Sequence, residues 1–236
     1  MGYSRNFALN TAFLYFLFLP GQAIHSQNYD KKIEKLALEI ESQVIDWRHW
    51  FHENAELSNR EFKTSKRIAT ILRDMGYKPQ INVAKTGVVA VLNGKERGPV
   101  VALRADIDGL PIKERVDIPW ASKMTGVYNG ETVPVMHACG HDTHIGILLG
   151  VAKILKDMKD QIPGKVKFIF QPAEEGAPAG EEGGAELMVK EGVLKNPDVD
   201  AIFGLHVWSG LYAGQVHLRP QGIICLLYTS PSPRDS

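Results

Sequence analysis

The sequence predicts an α/β fold organised on a mixed, largely parallel sheet, and three observations carry that reading. Apolar runs of strand-like composition alternate with segments of helical periodicity. Polar residues stand directly after three of those runs: Asp106 behind PVVALRA, Glu174 and Glu175 behind KVKFIFQPA, and His206 behind AIFGL. In a parallel sheet that is where ligands collect, beyond the carboxyl ends of the strands. Finally, a chain of 236 residues, 44% hydrophobic and 23% charged, is long and apolar enough to bury a full core.

The elements follow in order. From Tyr29 to about Asn54, the residues Ile33, Leu36, Ala37, Ile40, Val44, Trp47 and Phe51 recur at spacings of three and four, the pattern of a long amphipathic helix. A second helix runs from about Arg60 to Met75 and stops at Gly76, a residue suited to the left-handed backbone that closes a helix. GVVAVLNG and PVVALRAD are strands ended by turn residues, the second apolar enough to be central. HIGILLGVAKILKDM is helical, KVKFIFQ is a strand, EGGAELMVKEGVL surrounds another helix and DAIFGLHV is a strand again.

The two ends read differently from the middle. Arg5, the apolar block AFLYFLFLP and the small and polar residues of GQAIHSQ have the layout of a secretory signal over residues 1–26, with cleavage after Ala23 or Ser26. The apolar run is well short of the roughly 20 residues a membrane span needs, so a secreted or periplasmic protein is expected and a stable membrane span is not. The folded part is expected over residues 27–221. From Gly222 onward, IICLLYTSPSPRDS trades strand-like alternation for a Ser/Pro tail and is expected to be foreign to the fold.

Lys+Arg and Asp+Glu both total 27, so no charge excess recruits nucleic acid or anionic lipid. The only cysteines, Cys139 and Cys225, exclude a disulfide framework as the source of stability. A bound metal would protect a thiol from oxidation outside the cell, which favours Cys139 as a ligand.

The chemistry concentrates in MHACGHDTHIG, where His137, Cys139, His141, Asp142 and His144 fall within eight positions at a strand-to-helix junction. Cys139 and His141, two apart, can converge on one ion, and thiolate with imidazole suits zinc, with manganese, cobalt and nickel also open. Glu174 and Glu175 can divide two tasks, one binding metal while the other handles protons. His206 at a strand end is read as a ligand. Asp106, ahead of Asp108, is the candidate to orient a ligand histidine from behind, and His137 and His144 are expected to pack or to hydrogen-bond in support. His49, His52, Glu53 and Glu56 in HWFHENAE lack the His-Glu-x-x-His spacing of a helical zinc site and read mainly as the exposed face of the first helix, with His52 or Glu56 as the minor candidates for support.

Taken together, WRHWFHENAELSNREF, LRADIDGLPI, MHACGHDTH, FQPAEEG and GLHVW, in this order, resemble the amidohydrolase branch of the aminoacylase and carboxypeptidase metallopeptidases, from about Val44 to about Pro220. Hippurate hydrolases, N-acyl-amino-acid amidohydrolases and the plant indole-acetyl-amino-acid hydrolases belong to that branch. The resemblance implies a three-layer, zinc-peptidase-like catalytic domain. It also implies a centre of two divalent ions, Mn2+ or Zn2+ first and Co2+ or Ni2+ next, held by Cys139, His141, Glu175 and His206, with Cys139 bridging and Glu174 as general base. The implied substrate is a small N-acyl amino acid or peptide-like amide.

Two departures are visible. Ala55 stands where the family pattern has a proline, which alters rigidity and not chemistry. The family's lid or dimerisation domain and final histidine ligand do not follow, so the chain is expected to be truncated before the lid, to bind metal weakly and to turn over poorly, with homodimerisation a property of the longer protein. Two other readings stay open on the residues: a thiol hydrolase with Cys139 activated by a histidine, and a secreted, non-catalytic domain that binds metal or carboxylates.

Overall fold

The computed structural model describes residues 21–212 and 214–217. Residues 1–20, most of the expected signal, and the whole of the expected foreign tail lie outside the described residues. Helix α1 spans Gly21–Glu53, so the expected start of the folded part at residue 27 falls inside its second turn. Helix α2 (Phe62–Asp74) follows, then strands β1 (Gln80–Val83), β2 (Gly87–Asn93) and β3 (Glu96–Asp106), a hairpin of β4 (Thr125–Tyr128) and β5 (Glu131–Pro134), helix α3 (His141–Asp157), strand β6 (Pro163–Gln171), helix α4 (Gly184–Lys190) and strand β7 (Ala201–Gly204). No helix among the described residues is long and apolar enough to cross a membrane.

The five main strands form one sheet in the order β1-β2-β6-β3-β7. The sheet is mixed: β1–β2 and β2–β6 are antiparallel, β6–β3 and β3–β7 parallel. Only Gly94 and Lys95 separate β2 from β3, and both donate to the start of β6, Gly94 N to Gly164 O at 2.9 Å and Lys95 N to Ile162 O at 3.0 Å, so β6 inserts between two strands adjacent in sequence. The parallel half, β6-β3-β7, is the half whose carboxyl ends carry Glu174, Asp106 and His206.

Alternation along the strands builds three layers. Val88, Ala90 and Leu92 of β2 and Val166, Phe168 and Phe170 of β6 face one core, shared with Trp47 and Phe51 of α1, Ile68 and Leu72 of α2, and Ile145 and Leu149 of α3. Val89, Ala102 and Ile169 face the other, against Met188 of α4 and Val193. Phe51, Phe168 and Phe170 have no exposed surface, and a side chain of that size stabilises the fold by roughly 1.5–3 kcal/mol on burial. The apolar stripe of α1 is used unevenly: Trp47 and Phe51 are buried, whereas Ile33 is 40% exposed.

Candidate metal centre

The site grows from the start of α3. Gly140 caps the helix with φ +89°, and a Cβ there would stand 2.5 Å from Val207 Cγ2, so glycine serves both the left-handed backbone and the close approach of the segment after β7. Cys139 precedes it and His141 follows as the first helical residue. The His141 ring is fully buried, with Nδ1 2.9 Å from the Asp108 carbonyl and 3.3 Å from Asp108 Oδ1. Nδ1 between two acceptors carries the proton, which leaves the Nε2 lone pair facing the cluster. That atom has no hydrogen-bond partner among the described residues. It lies 3.8 Å from Glu174 Oε2, 3.8 Å from Glu175 Oε1 and 3.7 Å from Asp106 Oδ1. Ligand atoms of Cys139, His141 and Glu175 all fall within 4.8 Å of one another, and Cys139 Sγ is 3.5 Å from His206 Nε2.

Two aspartates hold this arrangement from behind. Asp108 Oδ2 accepts from Ser58 Oγ at 2.7 Å and from the Glu175 backbone N–H at 3.0 Å, tying His141, Glu175 and the segment before α2 to one carboxylate. Asp106 Oδ1 accepts from His144 Nδ1, and Asp106 Oδ2 from Arg104 Nη1 at 2.7 Å. The other His144 nitrogen accepts from Val207 N at 2.9 Å, which settles its tautomer and pins the chain beside His206. Asp106, His141, His144 and His206 also lie close enough to hold a cation. Both nitrogens of His144 are already engaged, however, so the open donor set is Cys139, His141, Glu175 and His206.

The electrostatics call for positive charge here. Burial opposes ionisation of Asp106, yet the His144 hydrogen bond with the charges of His141 and Arg104 holds its carboxyl well below the usual range. Asp108 is lowered in the same way, burial being outweighed by His141, Ser58 and the Glu175 amide. The neighbouring imidazoles of His141 and His206 lower the Cys139 thiol. Burial would lower His141, but Asp108, Cys139 and Asp106 push it up to about 11. A proton on His141 answers this demand at one atom only. A divalent cation would share its charge among thiolate, imidazole and carboxylate, and a buried imidazole nitrogen without a partner fits that role.

The structure brings Cys139, His141, Glu174, Glu175 and His206 together. His137 is buried with its ring 6.5 Å from that of His141, and neither of its nitrogens has a partner among the described residues. The orienting carboxylate against His141 is Asp108, while Asp106 orients His144. The spacing Asp-x-Asp at a strand end, which places both side chains on one face, signals that pair, and His144 lies three residues after His141 on one helix face.

The expectation of an exposed HWFHENAE face is corrected. His52 is buried, with Nδ1 3.0 Å from Asp142 Oδ2 and Nε2 2.7 Å from Glu114 Oε2, and Arg48 Nε donates to the same Asp142 oxygen at 2.9 Å. His49 stacks on Trp120. The reason is the first turn of α3, whose buried Asp142 requires cationic partners from α1. Glu56 accepts from Thr64 N at 2.9 Å and Lys63 N at 3.2 Å and so caps α2.

Residues 102–222, which include every residue of this donor set, match the description Peptidase family M20/M25/M40. The chain belongs to this family. Within it, the chain is 42% identical over 186 residues to an N-acyl-L-amino acid amidohydrolase of Geobacillus stearothermophilus, covering 79% of this chain and 46% of that one. It is 43% identical over 185 residues to thermostable carboxypeptidase 2 of Saccharolobus solfataricus, covering 78% and 44%. A crystal structure of Bacillus subtilis YxeP, described as a dinuclear metal binding peptidase from the M20 family, superposes with a TM-score of 0.62 at 41% identity, covering 71% of this chain and 43% of that one. The chain thus spans less than half the length of these M20 relatives. Its three-layer fold is that of the M20 catalytic domain, and its candidate metal-ligand residues cluster at the carboxyl end of the parallel strands.

Proposed function

We propose that this chain is part of a metal-dependent amidohydrolase that cleaves N-acyl amino acids or related linear amides. The observation that carries the reading is His141 Nε2, buried and without a hydrogen-bond partner among the described residues, facing a thiol and two glutamates. Cys139, His141, Glu175 and His206 would hold a pair of divalent cations, manganese or zinc first, cobalt or nickel next. When bound, the cations supply Lewis-acid polarisation of the amide carbonyl and lower the pKa of water at the site.

The rest of the chemistry belongs to side chains. Glu174 stands at the rim with 32% of its side chain exposed, its Oε2 3.8 Å from His141 Nε2, so it can meet both solvent and substrate. In this reading it takes a proton from water as the oxygen adds to the carbonyl carbon, then returns that proton to the nitrogen as the C–N bond breaks. Asp108 keeps Nδ1–H of His141 fixed, so that Nε2 stays a lone-pair donor. His144 and Asp106 hold the Val207 backbone, and with it the position of His206. The names of two relatives, an amidohydrolase acting on N-acyl-L-amino acids and a carboxypeptidase, support a substrate with a free carboxylate beside the scissile amide.

Glu174→Gln tests the assignment in the longest available product of the gene. We expect hydrolysis of hippurate or an N-acetyl amino acid, with manganese or zinc supplied, to fall by roughly 10²–10⁴-fold while metal uptake persists. Glu175→Ala and His141→Ala should lose both. The 3.5 Å contact between Cys139 Sγ and His206 Nε2 keeps a thiol mechanism in play. Full activity in excess chelator, abolished by alkylation of Cys139, would replace the metal reading with that one.

A further inference from the structure

Glu61 is a carboxylate with no exposed surface, and it stands at the N-cap position of α2 without capping that helix. Glu56 does that work instead. The Glu61 carboxylate turns into the protein, where Oε2 accepts from Thr86 Oγ1 at 2.6 Å and Oε1 from the Ala173 backbone N–H at 2.8 Å. Ala173 is the residue before Glu174, and it adopts φ +48°, a left-handed conformation that the alanine Cβ disfavours. Something must hold it there. The residues around Glu61 grip the same loop: Ser58 shares Asp108 with the Glu175 amide, Asn59 Nδ2 donates to Glu182 O at 3.1 Å, and Arg60 pairs with Glu181.

We propose that Glu61 is a positioning residue for the glutamate pair: by binding the Ala173 amide it fixes the left-handed turn that aims Glu174 and Glu175 at His141. The proposal rests on the reading that those glutamates serve a metal centre, but the turn itself can be tested without metal. An acceptor oxygen is what the turn requires, so Glu61→Gln preserves it and Glu61→Ala does not. Thr86→Val removes one restraint on the carboxylate without opening a cavity, and is the variant to read should Glu61→Ala not fold.

Hydrogen exchange read by mass spectrometry on the metal-free chain decides the matter. In Glu61→Ala we expect exchange across residues 171–176 to accelerate at least tenfold, in Thr86→Val about threefold, and in Glu61→Gln less than twofold, with protection of β2 and α3 unchanged. A merely structural role would instead raise exchange throughout the sheet, as Tyr77→Phe should by breaking the buried bond from Tyr77 to Ala152 O. Unchanged exchange at 171–176 in Glu61→Ala, or in Thr86→Val if Glu61→Ala does not fold, overturns the proposal; so does equal acceleration in Glu61→Gln, or acceleration that spreads across the sheet. Cobalt titration supplies the link to the site: Glu61→Ala should weaken the thiolate-to-cobalt absorption titre about tenfold relative to the unaltered chain, and an equal titre would overturn the aiming role. If the unaltered chain takes up no cobalt, the metal reading fails while the exchange result still judges the turn.

Discussion

Glu61 has a second consequence, in how stability depends on pH. Burial, with the neighbouring Asp108 charge adding, raises its carboxyl to about 7, against hydrogen bonds from Thr86 and the Ala173 amide that favour ionisation. In the unfolded chain it titrates near its ordinary 4.5. Below pH 4.5 both states hold the proton and the fold keeps its full stability. As the pH rises from there through 7, the unfolded state releases the proton first, and the fold loses about 3 kcal/mol to this group. Glu61→Gln stays neutral throughout, so its stability relative to the unaltered chain should climb from pH 5 to pH 8 by most of that amount, read from urea melts at each pH. Parallel profiles for the two proteins would refute the assignment. The same residue shows where sequence reading stops. Cys139, His141, Glu174, Glu175 and His206 were legible because reactive side chains at strand ends stand out against apolar runs. Glu61 was not, and the sequence ranked Asp106 above Asp108 and placed His52 mainly on an exposed face, because the meaning of these residues is burial, and burial of a charged residue is set by partners up to 112 positions away.

At the scale of elements, the strands and helices that bury an apolar face followed from periodicity, whereas pairing did not. The hairpin β4–β5 carries a strong local signal, Asn129-Gly130, with φ +51° and +84° in a two-residue loop between Tyr128 and Glu131. Its strands are exposed and short, so no hydrophobic alternation announced them. The insertion of β6 between β2 and β3 is a non-local choice that no window of sequence contains. Lys167 of β6 makes the complementary point, since a lysine in the middle of KVKFIFQ reads as a solvent-facing position. It is 2% exposed, and its ammonium donates to the carbonyls of Val193 at 2.8 Å, Lys195 at 2.8 Å and Pro197 at 3.1 Å. Burial pushes its pKa down, but three acceptors keep it bonded where α4 gives way to the path into β7. Lys167→Met retains the stem and strands those carbonyls, so we expect a loss of roughly 3–5 kcal/mol in urea denaturation. A loss below 1 kcal/mol would mean that the α4–β7 connection does not depend on this lysine.

Across the whole molecule, the candidate ligands come from three places that the chain joins only through long connections: the start of α3, the end of β6 and the segment after β7. A cation shared among them would cross-link β6 and β7, the two flanks of the parallel half of the sheet, to helix α3, and binding to the folded state alone adds RT ln(1 + [L]/Kd) to stability. At one hundred times Kd that is about 2.7 kcal/mol, or roughly 5–10 °C in melting temperature for a domain of this size. We therefore expect manganese, zinc or cobalt to raise the melting temperature of the chain by that amount at saturating concentration, and a chelator to reverse it. His141→Ala should abolish the increment whatever it does to the baseline, because the difference with and without metal is the quantity read. Glu174→Gln should leave the increment intact, since a proton carrier at the rim is not required to hold the ion. An increment that survives His141→Ala would place the cation elsewhere, and no increment with any of the three metals would show that these donors, though gathered, do not bind.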